Sequence, residues 1–205
     1  MKVERIVNGP VMTNTYIVTD NTKDAFMVDP GTYMREVTDM LKKSGKTLKY
    51  IILTHAHADH TGGVQGFLRD FPDAELVACI KEKELLNLPE HNASIELSGQ
   101  PIIINPNIYV KDGDSLMCGE MKLKFIETPG HTKGGMCVYT GDVLFSGDTL
   151  FYASIGRTDF YGGNYDELVS SVKDKLFKLP DETKVYPGHN IETTIGYEKI
   201  HNPFC

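Results

Sequence analysis

Short apolar runs recur along the chain, and each ends in a cluster of polar and turn-forming residues. Ala25-Phe26-Met27-Val28 leads into Asp29-Pro30-Gly31, and Tyr50-Ile51-Ile52-Leu53 into Thr54-His55. Leu123 to Ile126 leads to Thr128-Pro129-Gly130-His131, Val143-Leu144-Phe145 to Ser146-Gly147-Asp148, and Val185-Tyr186 to Pro187-Gly188-His189. Short runs of this kind, rich in apolar and β-branched residues and bounded by Gly, Pro and Asp, predict strands covered on both faces. The polar clusters then occupy loops at strand ends, where a rigid sheet can hold a site.

Helical spacing falls between these strands. Tyr33, Met34, Val37, Met40 and Leu41 form one apolar stripe that stops near Gly45. Tyr165, Leu168, Val169, Val172, Leu176 and Phe177 form a second, ending before Pro180, and a shorter helix through Val64, Phe67 and Leu68 follows Gly62-Gly63. Strands carrying helices on their outer faces predict a layered α/β domain. The segment from Lys81 to Pro106 shows no clear period. No linker-like or low-complexity tract divides the chain, so residues 1–205 are expected to form one domain.

Composition narrows the partners rather than the fold. With 28 acidic and 21 basic residues the formal charge is -7, which argues against nucleic acid or an anionic membrane surface as a partner. No apolar run approaches the roughly 20 residues of a membrane helix, and the start Met1-Lys2-Val3-Glu4-Arg5 does not read as a secretory signal. Cys79, Cys118, Cys137 and Cys205 are scattered without a C-x-x-C pair and read as buried small residues plus one C-terminal thiol. A reducing cytoplasmic setting is expected.

The chemistry lies in the histidines. Of seven, five (His55, His57, His60, His131 and His189) lie in or directly after the strand-end motifs, together with Asp59 and Asp148. Buried imidazoles and carboxylates are costly unless paired or bound to a cation. His55 and His57 are two residues apart, so an extended segment sends both side chains from the same face. The turn that follows brings Asp59 and His60 to a second position nearby, and His131, Asp148 and His189 arrive from other strands. Imidazole and carboxylate donors without cysteine suit zinc, iron or manganese.

These motifs resemble the metallo-β-lactamase superfamily. The likeness lies in the H-x-H-x-D-H element at His55 to His60 and in the ordered elements at Thr128–Thr132, Ser146–Leu150 and Tyr186–His189. Within it, Ile155–Phe160 and Thr193–Glu198, with the closing His201-Asn202-Pro203-Phe204, are similar to short, single-domain glyoxalase II-like hydrolases. The resemblance implies a four-layer αββα sandwich with metals at one edge. It implies one metal on His55, His57 and His131, a second on Asp59, His60 and His189, and Asp148 bridging both. Two divalent cations, zinc foremost with iron or manganese as alternatives, would acidify a shared water. Asp59, beyond ligating, would aim that water at the carbonyl of a small-molecule thioester such as S-lactoylglutathione. Full-length glyoxalase II enzymes carry an added helical region that helps bind glutathione, and this chain ends before it, so a related acyl thioester is an equal expectation. Asp29 is expected to orient a ligand histidine or a loop amide, Arg157 and Asp159 to pair beside Asp148, and Gly62-Gly63 to relieve crowding beneath the metal loop. Thr54, Lys133 and Tyr161 are candidates for the pocket.

The main rival is a persulfide dioxygenase, which resembles the same subgroup and would use one iron on His55, His131 and Asp148; a lactone or other ester hydrolase is the other alternative. A flavodiiron oxygen reductase has Glu where this chain has His57. Nucleic-acid processing fits the acidic balance poorly, and a β-lactamase fits poorly without a cysteine at the second metal. A non-catalytic scaffold has little reason to keep every ligand.

Overall fold

The computed structural model describes all 205 residues. Six strands form the first sheet: β1 (Lys2–Asn8), β2 (Thr13–Thr19), β3 (Asp24–Val28), β4 (Thr47–Ile52), β5 (Glu75–Cys79) and β6 (Ile108–Val110), side by side in chain order. The first three pair antiparallel and the last four run parallel. The second sheet takes β7 (Ser115–Cys118), β8 (Met121–Glu127), β9 (Met136–Thr140) and β10 (Val143–Gly147), which pair antiparallel in succession. A small hairpin, β11 (Leu150–Phe151) and β12 (Ser154–Ile155), precedes β13 (Lys184–Pro187), which lies parallel to β10, and β14 (Thr193–Thr194) closes that edge.

The alternation of side chains along each strand builds the layers. On β3, Phe26 and Val28 face the second sheet while Ala25 and Met27 face outward; on β4, Tyr50 and Ile52 point inward and Ile51 outward. The inward set meets Leu123, Phe125, Val138 and Phe145 of the second sheet in the central core. Outside the first sheet lie α1 (Arg35–Lys43), through Val37 and Leu41, and α3 (Val64–Asp70), through Val64 and Phe67. Outside the second sheet, α5 (Tyr165–Ser170) runs on through Lys178 as one wide and one tight turn, burying Leu168, Val172 and Leu176 against Ile126, Leu144 and Val185. Both predicted apolar stripes are therefore packing faces, save that Tyr165, in the first turn of α5, points to solvent, and the result is the four-layer αββα sandwich.

Two short helices complete the chain near the site, α2 (Ala58–Thr61) and α4 (Ser94–Ser98), and α6 (Ile195–His201) ends it. The aperiodic stretch from Lys81 to Pro106 consists of tight turns, α4, too short to show a helical period, and an irregular run over 101–106. Cys79, Cys118 and Cys137 are free and buried. No helix is long and apolar enough to cross a membrane.

Candidate metal centre

Every chemistry-bearing motif sits where a strand ends. Asp29 follows β3, the segment from Thr54 to His60 follows β4, His131 follows β8, Asp148 follows β10 and His189 follows β13. His57 is extended, with φ -65° and ψ 146°, and the chain then winds directly into α2. This change from extended to helical backbone puts His55 and His57 in one group and Asp59 and His60 in another. Donor atoms of His55, His57 and His131 lie within 4.8 Å of one another, as do those of Asp59, His60 and His189. Asp148 spans the two groups: Oδ1 is 3.4 Å from His60 Nε2, while Oδ2 is 3.7 Å from His131 Nε2 and 3.5 Å from His189 Nε2. Gly188 makes this approach possible, since a Cβ there would stand 2.2 Å from Asp148 Oδ1.

The donors are oriented as metal ligands require. His60 Nδ1 donates to Asp29 Oδ2 at 2.9 Å, and His131 Nδ1 to the Arg157 carbonyl at 2.7 Å. The Thr54 hydroxyl gives its proton to Asp29 Oδ2 at 2.6 Å, so its oxygen accepts from His55 Nδ1 at 3.1 Å. Each anchored Nδ1–H leaves an Nε2 lone pair facing the cluster. His55 Nε2, His57 Nε2 and Asp148 Oδ1 are buried without any hydrogen-bond partner. Native proteins seldom leave such atoms unpaired; a divalent cation would satisfy His55 Nε2 and Asp148 Oδ1, while His57 offers Nδ1, 3.0 Å from His131 Nε2. The residues fit a metal pair.

Electrostatics point the same way. Burial, reinforced by the neighbouring His60 and His131, holds His55 well below the ordinary imidazole range, and burial with His131 pushes His57 down to about 3. These rings are neutral, as ligands must be. Burial also opposes a charge on His60, but Asp59, Asp148 and Asp29 outweigh it and hold the ring well above its usual range. His189 is lifted to about 9 because its bonds to Asp148 and Asp59 overcome burial. Burial likewise works against ionised Asp59 and Asp148, yet the two cationic rings keep both carboxyls well below the carboxylate range. Without metal, protons on His60 and His189 thus balance the carboxylates that cations would otherwise hold.

Asp29 is placed to orient both groups. It is 1% exposed, takes the Thr54 N–H at 2.8 Å, reaches His55 through the Thr54 hydroxyl, and holds His60 directly. Asp29→Ala leaves those donors unpaired. Metal affinity, followed by chelator competition, is expected to fall about 10–100-fold. Thermal unfolding of the metal-free protein should show a loss of about 3–5 kcal/mol.

Other expected residues are placed differently. Arg157 and Asp159 do pair, at 2.8 and 2.9 Å, and line the pocket that holds Asp148, though both side chains are about two-thirds exposed at its mouth. An exposed pair contributes little; the Arg157 main chain, through its carbonyl, is what fixes His131. Thr54 is a buried support rather than a pocket residue, and Lys133 is exposed, ion-paired with Glu84 and not among the residues that line the pocket. Tyr161 does line the pocket, stacked on His91 with centroids 4.3 Å apart. Gly62 and Gly63 lie against the Gly31 and Pro30 carbonyls, as the crowding expectation required. Thr13 on β2, which donates to Asp59 Oδ2 at 3.0 Å, carried no sequence signal beyond its strand.

The pocket over the cluster has a volume of about 760 Å³, within the range for a small-molecule site. Phe151, Phe160 and Tyr161 supply apolar wall, and His91, Ala93 and Leu97 bring the aperiodic segment to its edge.

Residues 8–189 match the family model of the metallo-β-lactamase superfamily. The chain belongs to that superfamily. It is 32% identical over 207 residues to the hydroxyacylglutathione hydrolase GloC of Haemophilus influenzae, covering 100% of this chain and 98% of that protein. Among solved structures it is similar to BLEG-1, described as a B3 metallo-β-lactamase, with TM-score 0.92, 38% identity and 99% of each chain covered. ETHE1 from Myxococcus xanthus gives TM-score 0.81 and 32% identity over 99% of this chain and 84% of that one. TTHA1623 in a di-iron-bound form gives TM-score 0.85 and 30% identity over 99% and 100%.

Proposed function

We propose that the protein is a two-metal thioester hydrolase acting on acyl thioesters of the hydroxyacylglutathione class. The observation that carries this reading is the position of Asp148, within 3.7 Å of donors from both groups. His55, His57 and His131 would hold one cation, Asp59, His60 and His189 the other, and Asp148 both. Bound there, divalent cations supply Lewis acidity, bringing a shared water toward ionisation near neutral pH and polarising the substrate carbonyl. Asp59, fixed by the Thr13 hydroxyl on Oδ2, is the acceptor that takes the water's hydrogen bond and aims it at the carbonyl. Phe151, Phe160 and Tyr161 exclude bulk water and seat the acyl chain. A thiolate leaves without prior protonation, so the absence of a proton donor from the reaction scheme favours a thioester over an amide.

GloC supports the substrate class, being similar over the full length of both chains. The di-iron form of TTHA1623 supports two metals and keeps iron beside zinc as a candidate. The likeness to ETHE1 sustains a second reading, persulfide oxidation on one iron held by His55, His131 and Asp148. BLEG-1 brings a β-lactam into the test despite the unfavourable residue pattern.

Elemental analysis is combined with turnover of S-lactoylglutathione, a lactone, a β-lactam and glutathione persulfide with oxygen uptake. Two metals per chain and thioester turnover are expected. One iron with oxygen consumption, or a fully loaded protein inert toward thioesters, overturns the proposal. His189→Ala separates the two readings further, since it removes a ligand only from the two-metal scheme.

A further inference from the structure

Glu82 is a carboxylate that the catalytic scheme does not use. It ends the tight turn Ile80–Glu82 after β5 and is 1% exposed. No basic side chain pairs with it. Instead Oε2 accepts the Ala56 N–H at 2.8 Å, and Oε1 accepts the Gly134 N–H at 2.7 Å. Ala56 is the residue between His55 and His57. Gly134 lies in the loop that carries His131, which is closed by the Thr128 N–H donating to the Gly135 carbonyl at 2.7 Å. That loop is pressed against the Glu82 turn so closely that a Cβ on Gly134 would stand 2.5 Å from the Glu82 nitrogen.

We propose that Glu82 is the positioning residue of the first metal position, clamping together the two backbone segments that carry His55, His57 and His131. This rests on reading the seven ligands as a two-metal centre. The second group has separate supports: Thr13 on Asp59, Asp29 on His60, and the Asn14 N–H on the Gly188 carbonyl before His189. Glu82 touches none of these. The clamp also demands a carboxylate, because both of its oxygens accept. A glutamine of the same shape has one acceptor and must turn its NH2 toward one of the two N–H groups. Burial makes that mismatch costly, so the two loops move apart rather than tolerate it.

The test isolates each metal position and measures zinc affinity by competition with a chromophoric chelator. The His189→Ala background leaves the first trio complete, and the His131→Ala background leaves the second. Adding Glu82→Gln is expected to weaken zinc binding about 10–100-fold in the first background and to leave it unchanged in the second. Circular dichroism and thermal unfolding of the metal-free variants establish that each is folded. Should Glu82→Gln not fold, Glu82→Asp, one methylene too short to reach both N–H groups, is measured in the same way with the same selectivity expected. Glu198→Gln is the control for a purely structural clamp. Glu198 is also fully buried, accepting from the Ala153 N–H at 3.1 Å and the Thr193 hydroxyl at 2.6 Å. That control should lower stability without changing affinity at either position. Equal weakening in both backgrounds, or none in the first, overturns the proposal. A wild-type protein that takes up no zinc, iron or manganese instead overturns the two-metal reading on which it stands.

Discussion

Asp148→Ala is expected to yield a folded protein that retains no metal pair and loses at least about 1,000-fold in kcat/KM toward its thioester substrate. Removing a single donor that stabilises a transition state costs about 10²–10³ in kcat, and this substitution affects both cations together. Asp148 faces the cluster-side nitrogens of both groups, at 3.4 to 3.7 Å. Its loss also leaves the protonated His60 and His189 with less negative charge to face, so the metal-free variant should melt at a lower temperature than the metal-free parent. Metal analysis after dialysis, steady-state kinetics and thermal unfolding measure the three effects. His55→Ala should reproduce the loss of activity through the first position alone. Full turnover by a metal-free variant would end the two-metal scheme.

The second large effect is in pH, and the two metal positions should differ in it. His55 and His57 are held below the ordinary imidazole range, so both rings are neutral throughout neutral and alkaline solution. Their cation displaces no proton from them. His189 is raised from 6.5 to about 9, so below pH 9 its ring must give up a proton before it can ligate. Each displaced proton makes affinity rise tenfold per pH unit. The second position should therefore tighten by about 150-fold between pH 6.5 and 9 through His189 alone, the ring being half deprotonated at pH 9, with His60 adding in the same direction. Zinc titrations are expected to show one tight equivalent at pH 6.5 and two at pH 9.

The metal-free protein should respond with the opposite sign. A group whose pKa is raised on folding stabilises the fold fully below its unfolded value and loses that contribution as pH climbs through the folded one. Stability in chelator should decline from pH 6.5 toward about 9 as His189 loses its proton beside Asp59 and Asp148. A flat unfolding temperature across that window would show that the proton on His189 is not what balances the carboxylates.

Much of this architecture was legible without coordinates. The apolar runs before Asp29, Thr54, Asp148 and His189 marked strands, because a strand covered on both faces needs apolar residues at every position. The stripes of α1 and α5 marked helices, because one face alone is covered. The two-residue spacing of His55 and His57, followed by a turn, already divided the ligands into two groups, since extended backbone repeats every two residues and helix does not. The supports were less legible. Glu82 stands in the run Lys81-Glu82-Lys83-Glu84, whose alternating charges read as a solvated surface. The wall formed by His91, Ala93 and Leu97 has no period, because its turns are shorter than one repeat.

The sequence by itself determined the layered α/β class, the strand-end location of the site and the identity of all seven candidate ligands. Periodicity and residue chemistry are local properties, and they survive in one dimension. Only the tertiary structure decided that Asp148 reaches both groups, that Asp29 serves His55 and His60 together, that Arg157 acts through its carbonyl, and that Glu82 is buried between two loops. Those are contacts between segments tens of residues apart. They depend on how two sheets pack, which no local pattern specifies.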